Sequence, residues 1–336
     1  MNYDHFIAVD WAQRNMAIAR MTAHSDKISV VDVPASVKEL KVYLKNFRGK
    51  KILTFEESNT AQWLYTELKE HVDEIVVCDP YRNHLLSEGP KNDKIDARKL
   101  AQLLRANLLK SVFHSGDEFI VLRKLVSGYL DVIKSGVRAK NQRDALFRSS
   151  GKRVSDGDDA LEHSAERFVL EGLERSIDSY ELERNRYLKE FSRLSKGNPV
   201  IRNLKSIPGI GEIGAVKLAA IIVDPRRFKT KGDFLSYCGL IKLERMSGGN
   251  SYGQKTPRYC RPLKDVFKIA ALANTLARAG GPFKDYYDGL LRDKGYSTHN
   301  ARHALARRIA VLAFGTWKSG KKFVPHGRAE CSRSTD

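Results

Sequence analysis

The sequence predicts an α/β domain followed by a mostly helical half, a class written α/β plus α. Three observations carry this. Short β-branched runs alternate with helical patterns over the first 110 residues, a heptad-spaced stretch occupies the middle, and apolar stripes recur at helical spacing from residue 199 onward. HFIAVDWA, NMAIARM and KISVVDV read as three successive strands, an antiparallel meander. SVKELKVYLKNF then reads as a helix, KKILTFEE as a strand and NTAQWLYTELKEH as a helix. EIVVCDP reads as a further strand, closed by Pro80.

A meander followed by βαβ units predicts a ribonuclease-H-like (RuvC-like) domain over residues 1–115. In that arrangement the middle strands bring carboxylates from distant positions to one edge. A helix over 94–109 would pack Ala97, Leu100, Leu103, Leu104 and Leu108 inward. Residues 116–198 form the second region. Its first part is helical with a basic face: Arg123, Lys124, Lys134, Arg138, Lys140, Arg143 and Arg148. SSGKRVSDGDDALEHS reads as a hinge. Leu170, Leu173, Ile177, Tyr180, Arg184, Tyr187, Phe191 and Leu194 then alternate steps of three and four, a coiled-coil signal broken only by Arg184. Two readings stand: a seam with a second chain, which would make a homo-oligomer, or a hairpin with 117–150 of the same chain.

The third region, 199–320, opens with NLKSIPGIGEIGAVKLAAII. Gly209 and Gly211 fall between two helical patterns, as in a helix–hairpin–helix whose backbone N–H groups approach a phosphate. Turns of this composition are common between helices in general. GDFLSYCGL reads as a helix and KLERMSGGNSYGQKTPRYC as a polar, glycine-rich loop. PLKDVFKIAALANTLARA, PFKDYYDGLLRDK and HNARHALARRIAVLAFGTW read as closing helices, and residues 321–336 as a polar, disordered tail.

The formal charge is +19, as expected of a protein that handles polyanions. Residues 121–153 carry nine Lys/Arg against two Asp/Glu and 199–264 carry thirteen against four, so the excess lies outside the near-neutral heptad. No apolar run approaches a bilayer span, which favours nucleic acid over a membrane as the partner. MNYDHFIAVD lacks the pattern of a signal peptide, and the four scattered cysteines suit reduced thiols, so a cytoplasmic, nucleoid-associated protein is expected. His299 and His303 stand four apart without the glutamate of HExxH and among basic residues, which favours a basic helix over zinc.

The chemistry rests on four carboxylates. Asp10 and Glu56 each close an apolar, β-branched run, where a strand reaches the rim of a sheet. Asp93 and Asp96 lie three apart at the start of a helical pattern and point off one face. Gathered together they would repel unless a cation sat among them, and hard oxygen ligands suit Mg²⁺ or Mn²⁺ in metal-dependent phosphoryl transfer. The plainer alternative makes them helix caps and surface charges. Ser247, beside two glycines, is on its own terms an exposed turn residue.

Together these pieces resemble the transposases of bacterial insertion-sequence family 110, the DEDD recombinases that include bridge-RNA-guided enzymes and Piv-type DNA invertases. The resemblance runs through AVDWA (Asp10), FEESN (Glu56), NDKIDA (Asp93, Asp96), IPGIG and YCGLIKLERMSGG (Ser247). The glutamate motif departs from the family pattern after Glu56, which leaves Glu57 as a competitor; strand alternation would send Glu57 to the opposite face. The proline usual after Gly-Leu is displaced by Lys242, and the downstream glycine-rich basic motif is reduced to GQKTPRYCRPLK, with Lys255 and Arg258. The resemblance implies a metal held by the four acids and a nucleophilic serine at Ser247; Arg245, two residues before that serine, is placed to assist the phosphate. It also implies donor and target double-stranded DNA, a noncoding bridge RNA on surfaces such as Arg138, Lys140 and Arg143, and a dimer that becomes a tetramer in the synaptic complex. An invertase without a guide, a RuvC-like junction-resolving nuclease that uses water, and a non-catalytic scaffold are the competing readings.

Overall fold

The computed structural model describes residues 3–83, 92–116 and 119–325. The chain divides into two compact units, Met1–Gly116 and Asp117–Asp336.

The first unit is built on a five-stranded mixed sheet. Its elements are β1 (His5–Trp11), β2 (Asn15–Thr22), β3 (Ser25–Pro34), α1 (Val37–Lys45), β4 (Lys51–Glu56), α2 (Ala61–Leu68), β5 (Glu74–Cys78) and α3 (Asp93–Arg105). The strand order is β3-β2-β1-β4-β5. The meander β1–β2–β3 is antiparallel, while β4 and β5 join parallel to β1 through helical crossovers. Strand alternation sorts the side chains into two cores. Ile7, Val9, Leu53 and Phe55 pack with Leu40, Leu44, Leu64 and Leu68 of α1 and α2 on one face. Phe6, Ala8, Ile52 and Cys78 pack with Ala97, Leu100, Ala101 and Leu104 of α3 on the other. Leu108, expected inside, is 56% exposed. The helix ends at Arg105, and Asn107 turns the chain with φ 56°, so that Leu109 packs against the core instead.

The second unit begins with two long helices, α4 (Phe119–Ser149) and α5 (Ser164–Gly197). The heptad residues of α5 face α4 of the same chain. Tyr187 and Phe191 meet Tyr129 with ring centroids 5.9 and 5.1 Å apart. Lys140 Nζ lies 2.7 Å from Glu181 and Arg143 Nη1 3.0 Å from Glu174. The seam is thus filled within the chain, as in the hairpin alternative, and a second copy would have to use other residues. The segment between the helices is less open than a hinge, because Leu161 is buried with Phe147 and Leu170.

Beyond α5 come α6 (Pro199–Lys205), α7 (Glu212–Ile222), α8 (Lys231–Tyr237), β6 (Leu243–Ser247), β7 (Asn250–Lys255), α9 (Arg261–Thr275), α10 (Pro282–Arg292) and α11 (Thr298–Ser319). Six of the eleven residues of α7 are buried, which its nearly unbroken apolar sequence requires. Arg123 of α4 donates to the carbonyls of Ala220 and Ile221, satisfying the end of that helix. Phe228, Phe234, Phe267 and Phe314 form the aromatic centre of the closing helices. The expected tail is tied at its start: the Phe323 N–H donates to Ser206 Oγ at 2.8 Å and its ring stacks on Phe283. Residues 326–336 lie outside the described residues. No described helix is long and apolar enough to cross a membrane.

Candidate functional site

Register brings the first two acids side by side. The parallel β1–β4 ladder runs to Val9 opposite Phe55. One residue further, Asp10 near the end of β1 and Glu56 at the end of β4 stand on neighbouring strands, which lie about 4.8 Å apart in any sheet. Val9 and Phe55 face α1 and α2, so Asp10 and Glu56 face the α3 side.

α3 runs antiparallel to β1 and lays its first turn over this edge. At its far end the Arg105 guanidinium donates to the Thr22 and Ser25 carbonyls at 3.3 and 2.8 Å and pairs with Asp26. Thr22 is opposite His5, the first residue of β1. At its near end Lys94 lies 3.8 Å from Asp32, which is opposite Ala17, itself opposite Asp10. Asp93 and Asp96 occupy that first turn, which Asn92 caps by accepting from the Lys94 N–H at 3.0 Å. Both acids also complement the positive end of the helix dipole.

The two strand carboxylates feel their neighbours' charge. Burial, then Asp93, Glu56 and Asp96, push the Asp10 carboxyl up to about 6. Burial, then Asp96, raises Glu56. Like charges forced together beside an apolar core disfavour ionisation, and a hard divalent cation would relieve them. The donor set therefore suits such an ion chemically. Among the described residues, no three acidic, histidine or cysteine side chains already close around a single point.

Glu57 points the other way. Its carboxylate lies 2.5 Å from His114 Nε2, and His114 Nδ1 lies 2.7 Å from Gln62 Oε1 on α2. Gln62 donates in turn to the Ser115 carbonyl at 3.0 Å, so oxygen acceptors stand at both ring nitrogens. The His114 side chain is only 3% exposed. This clamp fixes the end of β4 against α2, and nothing in the spacing of residues 57, 62 and 114 announces it. A second clamp was equally unannounced: the buried Asn83 donates to the carbonyls of Asp79 and Lys110 and to Cys78 Sγ. It anchors the chain where β5 leaves the sheet.

Ser247 belongs to the second unit. The segment expected as a loop is a β-hairpin, β6–β7, with Ser247 opposite Asn250. Gly248 and Gly249 make its two-residue turn with φ 56° and 80°, the pairing that primed hairpin turns demand. Every residue of both strands is exposed. The register slips between Glu244 and Met246, so Arg245 sits at an irregularity of the ladder, and Lys255 stands opposite Leu243 at its root.

The remaining expected nucleic-acid contacts divide. Arg138, Arg245, Lys255 and Arg258 are exposed, whereas Lys140 and Arg143 face α5 in the ion pairs described above. Gly209, with φ 85°, presses on α9: a Cβ there would lie 2.5 Å from the Ala270 carbonyl oxygen. Its conformation is therefore explained by helix packing alone. Gly211 begins α7 in extended backbone with open space around it.

Two family profiles match the chain. One described as "Transposase", of the DEDD type in insertion-sequence family IS110, matches residues 7–150. Another, "Transposase IS116/IS110/IS902 family", matches residues 201–288. The chain belongs to this IS110-type transposase family. Among curated relatives, "Putative transposase y4qE" of Sinorhizobium fredii is 24% identical over 267 residues, 72% of this chain and 64% of that protein. The uncharacterized 44.8 kDa protein of insertion element IS116 from Streptomyces clavuligerus is 28% identical over 151 residues, 45% of this chain and 36% of that protein. The matches thus span less than two thirds of either relative.

Proposed function

We propose that the chain is the recombinase of an insertion sequence, cutting and rejoining donor and target double-stranded DNA through a serine–DNA intermediate. The observation that carries this reading is the convergence of Asp10, Glu56 and the first turn of α3 at one end of the sheet, with mutual charge felt at Asp10. The strand order β3-β2-β1-β4-β5 with α3 across one face supports a ribonuclease-H-like assignment for the first unit.

Asp10, Glu56, Asp93 and Asp96 would hold Mg²⁺ or Mn²⁺. A bound divalent ion neutralises charge on the phosphate oxygens and on the leaving oxygen. Ser247 Oγ attacks phosphorus: the Oγ–P bond forms, the P–O3′ bond breaks, and the hydroxyl proton passes to a base as the 3′ oxygen gains one. The ester keeps the bond energy for rejoining to a new strand. Arg245, two residues from Ser247 on the same strand and exposed like it, orients the phosphate. Assembly of more than one copy, and guidance by a noncoding bridge RNA, complete the reading by resemblance to the family. Exposed cations such as Arg138 would meet the phosphates and 2′-hydroxyls of that RNA.

The test is a strand-exchange assay with donor and target DNA, resolved under denaturing conditions. Wild type should yield a covalent protein–DNA species that Ser247→Ala lacks along with all strand exchange. If Ser247→Ala cuts DNA at the wild-type rate, water is the nucleophile and the serine assignment fails. RNA of defined length that co-purifies with the chain expressed from its own element supports guidance; only degraded cellular RNA argues for an unguided invertase.

A further inference from the structure

We propose that a groove between α9 and α11 binds the sugar–phosphate backbone of a nucleic acid through Lys264, Lys268, His299, His303 and Arg307. The proposal rests on the reading of the chain as a protein that handles nucleic acid, and it assigns that role to a surface outside the acids and the serine hairpin.

The two helices pack against each other, α9 burying Leu263, Phe267 and Ala270 and α11 burying Ala301, Leu305 and Ile309. Along α11, His299, His303 and Arg307 recur at every fourth residue and so share a face. The two imidazole rings lie 6.4 Å apart. Along α9, Lys264 and Lys268 have the same spacing. These rows converge: after burial, the charges of Arg307, Lys264, His299 and Lys268 all hold His303 below the usual histidine range. Lys268, His299 and Arg307 are exposed, while Lys264 and His303 are half-buried.

What sets the cluster apart is the missing counter-charge. Among the described residues none of the five forms an ion pair with a carboxylate, whereas elsewhere in the unit Lys140, Arg143 and Lys284 do. Asp265, the acid nearest in sequence on α9, acts on Lys217 and Cys260. Gathered like charges weaken a fold unless an anion joins them. Residues 299 to 307 rise about 12 Å along the helix. A duplex strand advances about 3.4 Å per phosphate, so the row can follow several.

Location adds to the case. α9 follows directly on the hairpin that carries Ser247. Lys264 Nζ stands 4.3 Å over the Tyr259 ring, and the Cys260 N–H donates to the Tyr237 carbonyl at 2.8 Å. Lys264 therefore stands beside the segment that joins that hairpin to α9.

The experiment uses the full chain with a chelator present, so that binding is read without cleavage. Affinity for a fluorescent DNA duplex of arbitrary sequence and for a fluorescent RNA hairpin is measured against salt. In the variant Lys264→Gln/Lys268→Gln/Arg307→Gln, affinity at low salt should fall at least about tenfold, and the slope of log K against log salt should flatten by about 0.9 per lost contact on duplex DNA. The arm that loses affinity, duplex or hairpin, identifies the source of the backbone. The charge-keeping variant Lys264→Arg/Lys268→Arg/Arg307→Lys should retain the wild-type slope. Its melting temperature should match the wild type, and that of the glutamine variant should equal or exceed it, because repulsion is relieved. A wild-type slope on both probes in the glutamine variant overturns the groove and leaves the acids untouched. Wild-type cleavage by both Asp96→Asn and Ser247→Ala would refute the recombinase reading without moving these slopes.

Discussion

The two halves of the proposed chemistry are mounted in opposite ways. The acids stand at the end of a sheet and on a helix that are anchored in core: Ile7, Val9, Phe55, Ala97 and Leu100 are all at most 1% exposed. Ser247 stands at the tip of a two-stranded ribbon with every residue exposed, Met246 at 56% and Tyr252 at 63%. An isolated pair of strands has little stability of its own in water. The first site is thus positioned by the folding of its unit, while the hairpin presents its hydroxyl on a surface that must gain order from what it meets.

The sharpest way to break that contrast is at the acids. Asp96→Asn should lower metal-dependent strand cleavage by about 10²–10³-fold, the loss typical when a charge-stabilising group is removed, with DNA binding retained. Wild-type cleavage in that variant would make the acids structural and erase the distinction.

A smaller effect tests whether the acidic edge is strained before a cation arrives. The folded-state Asp10 carboxyl lies at about 6 against an ordinary 3.8. Between those values the folded chain keeps a proton that the unfolded chain has released. Stability in chelator should therefore fall as pH rises from 4 to 6 and then level off, and this downward component should vanish in Asp10→Asn. After allowance for solvent screening, the variant should gain about 1–2 kcal/mol at neutral pH, seen as a melting temperature a few degrees higher. A variant less stable than wild type at pH 7 would mean that the ionised Asp10 is held by favourable contacts.

The smallest effect belongs to the hairpin. Gly249 holds φ 80° with no neighbour within 4 Å of an added Cβ. Gly249→Ala should cost about 1–2 kcal/mol of local turn stability. Strand exchange should drop while the global melting temperature stays put, and Gly249→Asn should recover much of the activity because asparagine tolerates the left-handed region. A melting temperature several degrees lower would place the ribbon inside the cooperative fold.

The sheet was legible because alternation and crossover spacing are local signals. The five β-branched runs expected in the first part are strands of the sheet, and the helical patterns between and after them are helices. Three things were not legible. Periodicity places Leu108 inward because it cannot see where a helix ends; here the helix stops at Arg105 and Asn107 turns the chain. The β6–β7 hairpin was hidden by polar composition, since exposed strands lack the apolar alternation that marks half-buried ones. Lys140 and Arg143 looked like a free basic face, yet Glu181 and Glu174 sit some forty and thirty residues away in sequence and opposite them in space. At the candidate site, each acid could be placed on its element from sequence and alternation sent Glu57 away from Glu56, whereas the partner that holds Glu57 there, His114, is supplied only by the tertiary fold.

Arg105 has a consequence beyond its own ion pair. By gripping carbonyls at the turn between β2 and β3 it pins one end of α3, leaving the helix as a ruler that measures out where Asp93 and Asp96 fall. One residue inserted between Asp96 and Ala97 would swing the two carboxylates by about 100° around the helix axis. Such a chain could keep every acid and still have none where the sheet edge needs it.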